Sequence, residues 1–422
     1  MDLEPTAAVA DAPRWGAFSY PAYRRYWFAS VCRVFGMTFR FIGAGWLVAV
    51  ELGQSPLWLG LVALASAVPT IVLSIPAGAL ADRMDSKRIL LISQSLGFFA
   101  HLTIATLVVT DVVELWMVFL WAVAAGAFTA FDAPALQALL PRLIEMRVMA
   151  SAVALNSSVW NGMRVIGPAI AGVLIAVLGS TGPAFFFTAG GFALSVLLLA
   201  SLQPGPLGPR SDAAHGGMWE GFRFILARPL FFATIGLSFF TSVFGASYVI
   251  LLPIFANETI DVGSEGFGFM EAASGAGALG ATLVILRVGV GPRAGPTMLI
   301  AAAIFGVIVA GFAITEALPH AVLLLFAAGI AEEVYLVVGM TTIQLLVPNE
   351  LRGRVMGIWS MTWFLAAVGG FVAGAAAELL GVRLTIAAGA LSVTGFAVLL
   401  LLSVSELRGL ADVRRAAPEH VS

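Results

Sequence analysis

Long apolar stretches separated by short polar loops run through the whole chain. A helix needs about 20 apolar residues to cross a bilayer, and these stretches reach that length. The pattern predicts twelve spans, near residues 26–50, 57–81, 88–109, 113–131, 152–178, 181–202, 229–256, 265–287, 295–315, 319–347, 352–380 and 382–404. The sequence therefore predicts an all-α integral membrane protein with both termini on one side.

A polar linker at 203–228 divides the spans into two groups of six. The predicted segments are an N-terminal tail (1–23), a six-helix bundle (24–202), the linker, a second six-helix bundle (229–404) and a C-terminal tail (405–422). In the linker, Trp219, Phe222 and Leu226 share one helical face, which predicts an amphipathic helix on the membrane surface. Docking to a partner protein is the alternative.

Composition supports the membrane class. Hydrophobic residues make up 60% of the chain and charged residues 11%, against roughly 45–50% and about 25% in soluble domains. A soluble protein of this composition would expose large apolar patches and aggregate. The single cysteine, Cys32, excludes an internal disulfide and argues against a cysteine-based metal site.

Positive charges lie almost entirely in the loops of one side. This side holds Arg14, Arg24, Arg25, Arg83, Lys87, Arg88, Arg142, Arg147, Arg210, Arg223, Arg228, Arg287, Arg293, Arg352, Arg354, Arg408, Arg414 and Arg415. Among the basic loop residues, only Arg383 falls on the other side. Cytoplasmic loops are enriched in Arg and Lys, so both termini and the linker are predicted to be cytoplasmic, with the helices in the cell membrane.

An internal repeat relates the two halves. Residues 137–149 (QALLPRLIEMRVM) align without a gap to residues 344–356 (QLLVPNELRGRVM), and both segments follow the fourth span of their half. Two similar six-helix halves in one orientation are a parallel repeat, the architecture in which two bundles rock about a shared site.

A short charged loop lies between the second and third spans. Its sequence, GALADRMDSKR at 78–88, contains Lys87, the only lysine of the chain. The loop resembles the signature loop between the second and third helices of the major facilitator superfamily of secondary transporters. Asp85 and Ser86 depart from the superfamily pattern, which usually has glycine and often arginine at these positions.

The resemblance extends over nearly the whole chain. Within the superfamily it is similar to the bacterial branch that includes the enterobactin (siderophore) exporter, through PALQALLPRL at 134–143, GFRFILARPL at 221–230 and VPNELRGRVMGIW at 347–359. This resemblance implies a major facilitator fold and efflux of a siderophore or drug by antiport with protons. The expected partners are a small-molecule substrate, protons and membrane lipids. Nucleic acid and bound cofactors are not expected, and the protein is expected to be a monomer driven by a proton gradient.

The charged loops on the cytoplasmic side suggest a gate. Gly78 is predicted to allow close helix approach, and the loop charges could pair with charges that follow the tenth span. The resulting latch, closed in the outward-facing state and broken in the inward-facing state, comprises Asp82, Arg83, Lys87, Arg88, Glu350, Arg352 and Arg354. The alternative is that these charges only fix the topology.

Ionisable residues inside spans are costly and are therefore functional candidates. Glu332 and Glu333 in span ten fall near mid-membrane, and one or the other is predicted to be the proton-coupling carboxylate. Arg164 in span five reaches a similar depth in the other half and is predicted to pair with them or to contact substrate. The further cavity candidates are Arg33 and Arg40 in span one and Glu271 in span eight. A structural ion pair within one half is the alternative.

Gly167 and Pro168 predict a kink or break in span five, because proline lacks a donor and clashes with the preceding turn. The surrounding R-x-x-G-P-x-x-x-G resembles part of the antiporter signature of drug exporters, and a packing kink is the alternative. The four histidines are scattered and give no metal or nucleophile cluster, so an enzyme is not predicted. Uptake by the same fold remains the alternative to efflux.

Overall fold

The computed structural model describes residues 15–81, 83–205, 218–290 and 293–409. Within these residues, twelve helices are long and apolar enough to cross a membrane. They are α1 (Pro21–Glu51), α2 (Pro56–Ala81), α3 (Ser86–Val109), α4 (Leu115–Arg142), α5 (Met146–Leu178), α6 (Gly182–Ala200), α7 (Pro229–Thr259), α8 (Gly263–Val288), α9 (Ala294–Ala313), α10 (Leu318–Leu346), α11 (Glu350–Leu380) and α12 (Val382–Ser403). The predicted all-α fold with twelve spans is confirmed.

Some predicted features fall on residues outside the described ranges. Asp82 of the predicted latch is one of them. The others are parts of the predicted tails and linker, at residues 1–14, 206–217 and 410–422.

The fourth and fifth helices are longer than the sequence predicts. The helix α4 continues from residue 131, its predicted end, to Arg142, and α5 begins at Met146 instead of 152. Asp132 ended the apolar run in the sequence, but in the structure this carboxylate is buried and paired with Arg33. A charged residue whose partner lies at the same depth does not end a membrane helix.

The two halves repeat the same packing. In the first half α1 packs on α5 and α6, α4 packs on α2 and α3, and α3 packs on α6. In the second half α7 packs on α11 and α12, α10 packs on α8 and α9, and α9 packs on α12. Each contact of the first half thus recurs six helices later, as the internal repeat predicts.

Two helix seams join the halves, α5 against α8 and α2 against α11. Both depend on glycine. A Cβ at Gly172 would lie 2.9 Å from the Cα of Gly268, and a Cβ at Gly60 would lie 2.5 Å from the carbonyl oxygen of Gly370. No real side chain fits at these separations, so the small residues allow the backbones to touch.

The halves are joined at one face of the membrane and separate at the other. Two apolar clusters contain residues of both halves; one contains Trp46 and Phe267, the other Trp121 and Ile254. We call these two clusters the shared apolar layer. Among the described residues, the clusters near the opposite face belong to one half or the other, together with the linker helix. This opposite face, at which α1 begins and α2 ends, carries the basic loops, and we call it the arginine-rich face.

The described part of the linker contains a short helix, Met218–Leu226, that is docked on the second half. Gly221 faces Ile358 of α11, and Glu220 forms an ion pair with Arg354. Trp219 is 72% exposed and Leu226 63% exposed. The helix therefore presents a partly apolar side away from the protein, as an amphipathic surface helix requires.

Candidate functional site

An ion pair between Arg164 of α5 and Glu332 of α10 joins the two halves near mid-membrane. The Arg164 Nη2 and Glu332 Oε2 atoms are 3.2 Å apart. Glu332 lies about 20 Å along α10 at 1.5 Å per residue, close to the middle of a hydrocarbon core of about 30 Å. The Arg164 side chain is 40% exposed and that of Glu332 17%. The gap between the halves therefore reaches this ion pair from the arginine-rich face.

Two more carboxyl groups surround Arg164. Glu333 accepts a hydrogen bond from Thr282 Oγ1 at 2.9 Å, and Glu271 has a buried Oε1 atom without a hydrogen-bond partner. Arg164 interacts electrostatically with both, as well as with Glu332. One guanidinium cannot neutralise three carboxylates, and buried excess charge is costly.

The local sequence explains how the four groups meet. Consecutive residues of a helix point about 100° apart, so Glu332 turns towards α5 while Glu333 turns towards α8. Gly275 of α8 lies directly against Arg164, and a Cβ there would be 2.5 Å from the Arg164 carbonyl oxygen. The structure therefore brings together four predicted candidates, Arg164, Glu271, Glu332 and Glu333.

Arg33 belongs to a different site, and its partner there, Asp132, is not among the residues predicted from the sequence. Its Nη1 atom is 3.6 Å from Oδ2 of Asp132 in α4, and both side chains are 6% exposed. Ser93 Oγ donates to the other carboxylate oxygen at 2.8 Å. Counting from the arginine-rich ends of their helices, Arg33 and Asp132 lie at similar depths of about 15–18 Å. That match was the available signal, because an arginine at this depth needs a partner.

A polar cavity of about 290 Å³ adjoins this second ion pair. Tyr26, Gln137, Asn156 and Trp160 line it. The Asn156 Oδ1 atom is buried without a hydrogen-bond partner. The cavity lies within the first half, because all its lining residues come from α1, α4 and α5.

Arg40 lies apart from both ion pairs. It lines a cavity of about 360 Å³ between the halves, whose walls come from α1, α2 and α4 on one side and α7, α8 and α11 on the other. The other lining residues are apolar or aromatic, with the exception of Ser66.

The described residues of the predicted latch make their contacts within their own half or with the linker helix. Lys87 Nζ donates to the carbonyl oxygens of Ala200 and Leu202 at 2.7 and 2.6 Å. Arg352 Nε donates to the carbonyl oxygen of Gln344, and Arg354 pairs with Glu220. Arg83, Arg88 and Glu350 are at the surface. The latch thus stays a prediction about a conformation in which the halves meet at this face.

The close helix approach predicted at Gly78 is absent from this conformation. A Cβ at this position would have no neighbour within 4 Å. The arginine-rich half of α2 lies beside the gap between the halves, and Ile75, one turn earlier, is 73% exposed. No described helix approaches Gly78 in this state, and its role in a state with the halves together at this face stays a prediction.

Gly167 and Pro168 do not break α5, which is helical from Met149 to Leu178. A Cβ at Gly167 would lie 2.5 Å from Thr38 Cγ2 of α1, and the Pro168 carbonyl oxygen faces Gly268 of α8. These two residues therefore form a packing site at which α5 contacts a helix of each half.

The chain matches the family model described as transmembrane secretion effector over residues 12–420. The staphyloferrin A transporter of Staphylococcus aureus (strain NCTC 8325 / PS 47) is 30% identical over 270 residues, which cover 63% of this chain and 67% of that protein. The enterobactin exporter EntS of Shigella boydii serotype 4 (strain Sb227) is 26% identical over 403 residues, 94% of each chain. A crystal structure of a mutant of the nucleoside transporter NupG has the same fold, with a TM-score of 0.71 at 16% identity over 92% of this chain and 99% of that chain.

These matches confirm the resemblance to the major facilitator superfamily and to its siderophore-exporter branch. The family and the relatives are transporters rather than enzymes. The chain therefore belongs to the transmembrane secretion effector family of the major facilitator superfamily.

Proposed function

We propose that this secondary transporter exports a small amphipathic molecule, a siderophore or a drug, in exchange for protons. The observation that carries the proposal is the ion pair between Arg164 and Glu332, because it joins the two halves that must move relative to each other. The arginine-rich face is taken as cytoplasmic by the positive-inside rule. The relatives that carry siderophores support the substrate class.

The conformation supports alternating access. The shared apolar layer closes the arginine-poor face, while the halves separate at the other face. Substrate can enter the gap from the cytoplasm in this state. To release it outside, the α5–α8 and α2–α11 seams must part at the arginine-poor face, and the halves must meet at the arginine-rich face.

Proton uptake at Glu332 from outside, in the opposite conformation, and release to the cytoplasm in the present one can drive this exchange. A neutral Glu332 no longer attracts Arg164 as a charge, which removes the electrostatic part of the link between α5 and α10. Glu271 and Glu333 then compete for the same guanidinium. The position of Arg164 thereby depends on which carboxyl group holds the proton, and protonation is coupled to movement of one half against the other.

The test measures transport in inverted membrane vesicles that contain the protein. Staphyloferrin A and enterobactin serve as probes, with and without a pH gradient that is acidic inside. Glu332→Gln and Glu333→Gln are compared with Glu316→Gln, which removes an exposed carboxylate at the arginine-poor face. Counterflow of labelled against unlabelled probe is measured in the same vesicles.

We expect the gradient to drive probe accumulation in the wild type and in Glu316→Gln. Glu332→Gln should lose gradient-driven accumulation and retain counterflow, because exchange needs no net proton movement. Unchanged gradient-driven accumulation in both Glu332→Gln and Glu333→Gln would contradict the coupling assignment. In right-side-out vesicles the matching gradient is acidic outside. Accumulation of either probe in these vesicles would favour uptake.

A further inference from the structure

Arg40 differs from the other two arginines inside the membrane. Arg33 pairs with Asp132 and Arg164 pairs with Glu332. Arg40 makes no hydrogen bond or ion pair with any residue that the structure describes. Arg40 is half-buried, and an arginine inside a membrane span is costly and normally has a partner, so the bare guanidinium at this depth needs an explanation.

The cavity at Arg40 has the character of a ligand site. Its volume of about 360 Å³ falls in the range of small-molecule pockets, which is about 300–1,000 Å³. Both halves of the transporter contribute to the walls, including Phe41 and Trp121 from the first half and Phe267 from the second. A ligand in this cavity therefore contacts the two parts that move.

None of the described residues that line this cavity carries a negative charge. The lining includes no Asp or Glu. Apart from Arg40 and the indole of Trp121, the one polar side chain in it is Ser66. The indole N–H of Trp121 already donates to His101 Nδ1 at 3.1 Å. Arg40 thus offers all its donors at the edge of an apolar chamber.

We propose that Arg40 binds the anionic group of the transported molecule, and that the substrates are amphipathic anions with a carboxylate, sulfonate or phosphate on a ring-containing body. The proposal names the substrate class of the proposed exporter. It rests on that function only in taking the bound anion to be the transported molecule. A planar guanidinium binds an oxyanion through two parallel hydrogen bonds, and the aromatic walls receive the apolar body. The site also sets a selectivity, because a cationic amphiphile would meet an uncompensated positive charge.

The test compares two probes of matched shape. Naphthaleneacetate and its amide differ in charge but hardly in size. Binding of both to the purified full-length protein in lipid nanodiscs is measured by competition against radiolabelled naphthaleneacetate. The variants are Arg40→Gln and Arg40→Lys, and Arg383→Gln is the control, because Arg383 is a half-exposed arginine paired with Glu316 at the arginine-poor face.

The wild type and Arg383→Gln should prefer the acetate by roughly tenfold or more, the equivalent of about 1.4 kcal/mol. Arg40→Gln should bind both probes equally, and Arg40→Lys should keep part of the preference. A wild type without preference for the acetate, or an Arg40→Gln protein that keeps it, would overturn the proposal. If Arg40→Gln does not fold, protection of wild-type Arg40 from phenylglyoxal by the acetate and not by the amide decides the question.

Binding in nanodiscs requires neither a gradient nor a direction of transport. Anion preference that depends on Arg40, without proton-driven flux, supports this inference and contradicts the proposed function. Proton-driven flux in the wild type, together with an Arg40→Gln protein that still prefers the acetate, supports the proposed function and contradicts this inference.

Discussion

Arg142 donates a hydrogen bond to Asp85, with 2.6 Å between Nη1 and Oδ1, and so ties the loop between α2 and α3 to the end of α4. Asp85 also caps α3 by accepting the backbone N–H of Lys87 at 3.4 Å. The same lysine holds the end of α6 through its side chain. Asp85 departs from the glycine of the superfamily pattern, and the departure adds a tie within the first half.

Replacement of Asp85 by asparagine should lower stability in a pH-dependent way. Burial alone would raise the pKa of this carboxyl, but the hydrogen bond and charge of Arg142, with the Lys87 N–H and the Arg88 charge, hold the pKa below its usual value. The stabilisation is therefore present above the unfolded value of about 3.9 and is lost as the pH falls through the lower folded value. For a pair near the surface we expect about 1 kcal/mol.

The measurement is the difference in apparent unfolding temperature between wild type and Asp85→Asn. It should be positive at neutral pH and shrink as the pH falls below about 4. Asp111→Asn is the matched control, because Asp111 is exposed and asparagine tolerates its positive φ of 54°. If the difference in unfolding temperature were the same at neutral pH and below about pH 4, the charge of Asp85 would not be what stabilises the loop.

Substitution of Gly268 should open the arginine-poor face. Alanine there places a methyl group against the Pro168 carbonyl and 3.0 Å from the Gly172 Cα, so α5 and α8 must separate. Overpacking costs about 1–3 kcal/mol, which shifts a conformational equilibrium roughly five- to 150-fold. A maleimide should label Ala171→Cys, in a Cys32→Ser background, correspondingly faster when Gly268→Ala is added.

The control for the Gly268 substitution is Gly190→Ala, whose Cβ meets nothing within 4 Å. Equal labelling rates with Gly268→Ala and Gly190→Ala would contradict the role of the glycine seam.

The Arg33–Asp132 pair should behave as a structural unit. Asp132→Asn alone leaves Arg33 buried with an uncompensated charge, and we expect a loss of about 3–5 kcal/mol. The double variant Arg33→Gln with Asp132→Asn removes both charges and should recover most of that loss. Thermal unfolding in one detergent compares the wild type, the single variants Asp132→Asn and Arg33→Gln, and the double variant. A double variant as unstable as the sum of the two single variants would contradict the pairing.

The orientation in the membrane is testable with two single cysteines in the Cys32→Ser background. Ser201 is exposed at the arginine-rich end of α6, and Thr110 is exposed at the opposite end of α3. If the arginine-rich face is cytoplasmic, an impermeant maleimide labels Thr110→Cys in right-side-out vesicles and Ser201→Cys in inverted ones. The reverse pattern would invert the topology and the direction assigned to transport.

The helices could be predicted from the sequence because a bilayer imposes a length and an apolar character on every span. The end of α4 could not, since the apolar run stops at Asp132 and the helix does not. The helix continues because Asp132 pairs with Arg33 of α1. The sequence around Asp132 gives no information about a partner on another helix. The pseudo-symmetry was predictable from one repeated loop, whereas the glycine seams between the halves depend on how the bundles dock.

The candidate site shows the same boundary between local and tertiary information. Arg33 and Arg40 are two turns apart on α1 and look equivalent in the sequence. In the structure one faces Asp132 and the other faces a cavity, because different helices pass each arginine at its own depth. The depths of Arg164 and Glu332 were readable from the sequence, and their contact follows from the docking of α5 beside α8 and α10.

The shared apolar layer also has an electrical consequence. Solvent can approach Arg164 through the gap between the halves, so the path from the arginine-rich face to mid-membrane has a high dielectric constant. Most of the membrane voltage then falls across the apolar layer, where moving one elementary charge through the full potential involves about 2.3 kcal/mol per 100 mV. In the proposed exchange, voltage would therefore act mainly on the step in which this layer opens, and only weakly on substrate entry into the gap.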